Sequence, residues 1–168
     1  MEEAVKKEIN KEYIEAAECY EDAIKNHSSS VSPDTFINLA VLYWELTFDM
    51  FGFVIPNGIE DYSMIAGNRY QKILELGLEK YPNNVELHFW KKYFSNILGD
   101  ENFSVRDCLD LIEQYGEQNY VPYFFLYLFD KEKYKKQRDE LMKEVEKVAT
   151  AKNFYIGAVL RGEDNRED

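Results

Sequence analysis

Between Tyr13 and Tyr43 small and aromatic side chains recur at helical steps on both sides of one proline, and this order constrains the fold more than any other stretch. Ala16, Tyr20 and Ala23 come first, then Pro33, then Phe36, Leu39, Ala40 and Tyr43. Residues three and four apart are neighbours on a helix, so each set forms a stripe along one face. Ala16 and Ala23 let two helices approach closely where a bulky pair would hold them apart. Tyr20, Phe36 and Tyr43 have the volume to fill the space between neighbouring helix pairs.

The same spacing extends backward through Val5, Ile9 and Tyr13 and forward to Ile24, and it stops before His27-Ser28-Ser29-Ser30. This predicts one long amphipathic helix. Asn10-Lys11 is the possible turn within it, so a first hairpin is either truncated or fused into a single helix; fusion is favoured because no Gly or Pro intervenes. Ser32 can cap the next helix, Pro33 suits its first turn and Asp34 complements its dipole. After Leu46 an apolar segment, residues 48–58, is punctuated by Gly52, Pro56 and Gly58. It reads either as a lid that buries Phe51, Phe53 and Ile55 or as the wall of a groove or dimer contact.

Further helices are expected from near Asp61 to a stop at Pro82-Asn83-Asn84, and through Leu87, Trp90, Tyr93, Phe94, Ile97 and Leu98 on one broad face. A fifth begins after Ser104 with Val105, Cys108, Leu109, Leu111 and Ile112 inward, and Gly116 ends it. Tyr120 to Phe129 is apolar on every side and reads as a buried core helix, with Tyr123 and Tyr127 the candidates for exposure. A seventh segment runs from Lys131 to about Leu160, its last part either continuing after a bend or docking as an extended cap. A polar tail, residues 161–168, is expected to fray.

The order Ala16, Tyr20, Ala23, Pro33, Phe36, Leu39, Ala40, Tyr43 resembles the seam of a tetratricopeptide (TPR) repeat, and Leu74, Gly77 and Pro82 restore that spacing in a blurred second boundary. The resemblance implies an all-α fold: antiparallel helical hairpins stacked as a short right-handed α-solenoid or bundle of about seven helices, in one domain spanning residues 1–160. It also implies a non-enzymatic adaptor or scaffold that binds a peptide or protein segment along a helical groove. Asn38, Val41 and Glu45 on the second helix are the groove residues this implies.

Charge narrows the partner. The 168 residues carry 20 basic and 32 acidic side chains, a formal charge of −12, which opposes phosphate binding and argues against nucleic acid. The acidity is N-terminal: residues 1–60 hold 4 basic and 12 acidic side chains. On a continuous first helix, Glu8, Glu12, Glu15 and Asp22 would share one face flanked by Glu18 and Glu21. Such a stripe is either an ordinary solvated face or a surface that steers a basic partner. A weaker line runs through Asp107, Asp110 and Glu113 or Glu117. The second functional class is therefore an acidic stoichiometric inhibitor, such as an immunity or antitoxin protein that neutralises a basic toxin.

Catalytic and metal motifs are missing from the sequence: His27 and His88 stand apart, and there is no zinc-spaced Cys pair, Gly-rich phosphate loop or nucleophile elbow. No cofactor is expected. Cys19 and Cys108 are each within a predicted helix and read as buried free thiols rather than a disulfide. Residues 1–10 lack a signal-peptide core, and no uncharged apolar run approaches the roughly 18 residues of a membrane span. The expected setting is the cytoplasm; the sequence leaves the oligomeric state open.

Overall fold

A computed structural model of the chain describes residues 1–26, 30–48, 66–116 and 118–164. The described residues are all-helical. Nine helices follow in order: α1 (Glu2–Ile9), α2 (Tyr13–Asn26), α3 (Pro33–Phe48), α4 (Arg69–Lys80), α5 (Val85–Leu98), α6 (Val105–Tyr115), α7 (Val121–Tyr127), α8 (Lys131–Val145) and α9 (Ala151–Asp164). Most of residues 48–58, together with Asp61, His27 and Glu117, lie outside the described residues.

One expected helix is broken in two, and the last part of the seventh segment is a helix after a bend rather than an extended cap. The first helix is not fused: Lys11 has a left-handed φ of 63°, and α1 and α2 fold against each other as a hairpin. Left-handed backbone is costly for a residue with a Cβ, so this turn is held by its surroundings. Lys7 pairs with Glu12 across it, and the Lys11 and Glu12 amides donate to the carbonyls of Glu8 and Lys7. The bend, at residues 146–150, separates α8 from α9. Nor is the tail free from residue 161 onward, because α9 continues to Asp164. The Tyr127 hydroxyl and Arg138 both hold the Asp164 carboxylate, and Lys131 Nζ donates to the Glu163 carbonyl at 2.8 Å.

Most of the expected seam packs inward: Ala16, Tyr20, Phe36, Leu39, Ala40 and Tyr43 are buried, whereas Ala23 is only half-buried near the end of α2 and Ala17 is buried beside them. The central helix is α3, in which every residue from Thr35 to Leu46 is buried. Consecutive helices pack on one another from α1 to α9, most extensively α3 with α4, and α9 then returns to lie against α3. An aromatic cluster fills the centre: Trp44 stacks on Phe94 with ring centroids 4.0 Å apart and planes 9° from parallel, and Trp90 meets Tyr155 of α9 at 5.8 Å, edge-on. Such pairs add to the area they bury.

Local signals set the helix ends. Asn84 accepts the Leu87 amide at the start of α5, and Ser104 and Asp107 form a capping box at α6. The exposed edge differs from the expected one: Ile97 and Leu98 turn outward at the end of α5, Tyr120 and Phe129 are exposed beside the buried α7, and Tyr127 is buried. Cys108 is buried and Cys19 half-buried, both as free thiols.

Gly77 is the small residue that the blurred second boundary supplies. A Cβ there would sit 2.8 Å from Leu87 Cδ2 and 3.1 Å from Phe36 Cβ, so α4 approaches α3 and α5 as closely as it does only without one. The Gly77→Ala variant should lose about 1 kcal/mol and Gly77→Val about 3 kcal/mol, although either residue favours helix over glycine. Urea unfolding measures both; a stabilised Gly77→Val would contradict the close approach.

Candidate functional site

A helix that starts in the interior must satisfy its first amides there. The N-terminus of α9 does so across the whole chain: the Ala151 amide donates to Glu8 Oε2 of α1 at 2.6 Å, and the Asn153 amide donates to Thr150 Oγ1 at 3.3 Å. The other oxygen of Glu8 accepts from the Tyr20 hydroxyl at 2.6 Å. Glu8 is 2% exposed. Burial pushes its carboxyl up to about 7, against the opposing pull of the Ala151 amide, the Tyr20 hydroxyl and the Lys152 charge.

The next residue, Lys152, enters the same interior. Its ammonium donates to Glu86 Oε1 at 2.9 Å, and Glu86 also accepts from Trp90 Nε1 at 3.2 Å and from Asn119 Nδ2 at 2.9 Å. Burial opposes both charges, yet their mutual attraction and these bonds outweigh it: Glu86 is held below the usual carboxylate range and Lys152 above the usual amine range. Glu86 lies in the first turn of α5, where the helix dipole also favours a carboxylate. A pair this deep adds little net stability but costs several kcal/mol when one partner is removed.

Beside this polar cluster opens a cleft of about 440 Å³. Asn38, Glu86, Asn119 and Lys152 lie along its floor. Val5, Val121, Leu141, Val145 and Ile156 supply apolar walls, and the exposed Asp34, Gln118, Glu144 and Val148 stand at its rim. Hydrogen-bonding capacity is left over: Asn38 Oδ1 is buried without a partner, and among the described residues the Lys152 ammonium makes one of its three possible hydrogen bonds.

The six residues expected at the site are not brought together. Asn38 reaches the cleft, but at 7% exposure it is part of the floor rather than of an open groove. Val41 and Glu45 are each 0% exposed, because α9 packs against the α3 face that they occupy. Glu45 is close enough to the Tyr155 hydroxyl to act on it electrostatically. Glu8 leaves the acidic stripe altogether, since the Lys11 turn puts it on a separate helix and points it inward. Glu12 is half-exposed and paired with Lys7, which holds it below its ordinary range, while Glu15 is exposed on α2.

Glu86 and Lys152, which define the floor, were not expected there. The signal for Lys152 was present: it is the only charged residue between Lys147 and Arg161. Among the described residues no cluster of three His, Cys, Asp or Glu could hold a metal ion, and no helix is long and apolar enough to cross a membrane. Fold and site define an all-α protein whose helices enclose a polar-floored cleft. No family model matches the chain, and no curated protein or solved structure is significantly similar to it.

The elevated Glu8 makes stability depend on pH in a fixed direction. The folded chain binds this proton more tightly than the unfolded chain, whose carboxyl titrates near 4.5. The contribution is therefore complete below about 4.5 and is lost as pH rises through about 7, amounting to roughly 3 kcal/mol at about 1.4 kcal/mol per pH unit. Urea unfolding at pH 4.5 and pH 8 should show wild type losing that much more than Glu8→Gln; equal losses would place the Glu8 carboxyl in its ordinary range.

Proposed function

We propose that the chain is a non-enzymatic protein-interaction module, a divergent TPR-like helical array that holds a peptide or protein segment in the cleft over Glu86 and Lys152. The carrying observation is the unspent hydrogen-bonding capacity of a floor whose two charges cancel. A peptide backbone offers one donor and one acceptor per residue and no net charge, which is what Asn38 Oδ1 and the remaining Lys152 donors call for. Apolar walls take its side chains, and Asp34 and Glu144 at the rim favour a basic residue beside it. The volume lies within the range of ligand clefts, ~300–1,000 Å³. A cytoplasmic setting without nucleic acid or membrane partners belongs to the same reading, which the acidity of the chain supports.

A test begins with peptides selected from a random display library on the immobilised protein. Val148→Trp with Gln118→Trp, two exposed positions at the rim, should weaken the selected peptides by about tenfold or more, equivalent to 1.4 kcal/mol, while leaving the thermal midpoint in place. Failure to enrich any peptide, or binding indifferent to the two tryptophans, would overturn the assignment.

A second reading, an acidic inhibitor of a basic protein in the manner of an immunity or antitoxin protein, is favoured by one observation. Among the described residues Glu15, Glu18 and Asp22 lie exposed on α2 with no ion-pair partner. Reversing Glu15 and Glu18 to Lys should slow association with a basic test protein such as a cationic ribonuclease, and flatten its salt dependence. Stopped-flow rates unchanged by both would remove this reading.

A further inference from the structure

We propose that the groove between α2 and α4 is a second interaction surface, suited to an amphipathic helix of a partner protein whose apolar stripe is flanked by acidic residues. It shares no lining residue with the cleft over Glu86 and Lys152, and it stands whether or not that cleft holds a peptide.

The fold gathers its cations here. Residues 12–79 hold three Lys or Arg side chains in an otherwise acidic stretch: Lys25 on α2, and Arg69 and Lys72 on α4. All three line this one groove, whose volume is about 300 Å³. Between them Ile24, Ile73 and Leu76 form an apolar strip. Ile73 is buried, Ile24 is half-buried and Leu76 is 45% exposed. A chain of formal charge −12 thus presents at this place apolar surface edged by positive charge.

Hydrogen bonds hold that edge in position. Glu21 Oε1 accepts from the Tyr43 hydroxyl at 2.6 Å and from Arg69 Nη1 at 3.1 Å, and Glu21 Oε2 accepts from Lys25 Nζ at 3.0 Å. The bridge ties α2 to α4 through α3 and sets Arg69 and Lys25 beside the strip. Glu75, one turn beyond Lys72, pairs with Lys91 instead, at 3.5 Å. Lys72 is exposed and has no carboxylate partner among the described residues.

The lining also selects the form of the occupant. The backbone groups of α2 and α4 are spent within their own helices, the Lys and Arg side chains only donate, and the one carboxylate, Glu21, is engaged at both oxygens. An extended segment would lay backbone N–H groups against this surface with no acceptor to receive them. A helix satisfies its own backbone and offers side chains alone. The side chains that fit are apolar residues at three- and four-residue steps, to pack on Ile24, Ile73 and Leu76, with carboxylates on either side to meet Lys25, Arg69 and Lys72.

The test is a display library of amphipathic helices of about five turns, with Leu along one face and Glu, Gln or Lys allowed at each flanking position, selected on the full chain at physiological salt. The net charge of the chain favours Lys by general attraction, so enrichment of Glu reports a local basic surface. Selected helices should bind the double variant Lys25→Gln with Lys72→Gln, and separately Leu76→Gln, about tenfold or more weakly by fluorescence anisotropy. Thermal midpoints should stay near that of wild type, since all three side chains are exposed. Should Leu76→Gln not fold, the double variant decides alone. Val148→Trp with Gln118→Trp should leave the affinity unchanged, which separates this surface from the cleft. Enrichment of Lys, enrichment of neither charge, or Glu-flanked helices indifferent to the groove variants would overturn the proposal. So would a dimer in sedimentation that Leu76→Gln dissolves, which would give the groove to a second copy of the chain.

Discussion

The first amides of α9 have no water to turn to, because Ala151 is 1% exposed. A carboxylate from α1 meets that of Ala151, 143 residues back along the chain. Much else follows from that contact. It fixes the start of α9 at one point, which places Lys152 opposite Glu86 and brings Tyr155 and Ile156 onto the aromatic centre between α3 and α5. The opposite end is held by Lys131, Tyr127 and Arg138. With both ends fixed, α9 covers one face of α3 and leaves the cleft beside its own N-terminus.

Such a return changes what an array of hairpins can do. In a stack whose helices touch only their neighbours, the concave face of the second helix is open and its polar residues are free to bind. Here the last helix lies on that face. Asn38, Val41 and Glu45 consequently serve the interior, and the accessible surface moves to the margin where α1, α3, α5, α8 and α9 converge.

Local features were legible in the sequence because they depend on nearby residues. The stripe through Ala16, Tyr20, Phe36, Ala40 and Tyr43, the stop at Pro82, the Ser104 cap and the close approach at Gly77 are settled within a helix turn or between adjacent hairpins. Lys11 was misread because Glu, Lys and Asn are acceptable helix residues, and what holds the turn is the tertiary hairpin of α1 with α2. That one left-handed residue also moved Glu8 from a solvent stripe to the centre of the molecule. The polar floor was legible only in part: Lys152 stands alone as a charge in an otherwise uncharged stretch, but its partner Glu86 lies 66 residues away and has the local signature of a surface carboxylate.

Buried polarity is then best understood as a constraint on arrangement rather than a source of stability. A buried ion pair is roughly neutral against an apolar replacement of the same shape, and an elevated carboxyl is a cost at neutral pH. Both persist at the point where α9 docks. An apolar helix face can slide along α3 with a small change in buried area, but the Ala151 amide and the Lys152 ammonium each find a partner at only one register. Losing that register would strand Glu86, which is 4% exposed, so α9 is fixed in position even though its charged contacts contribute little to the depth of the energy well.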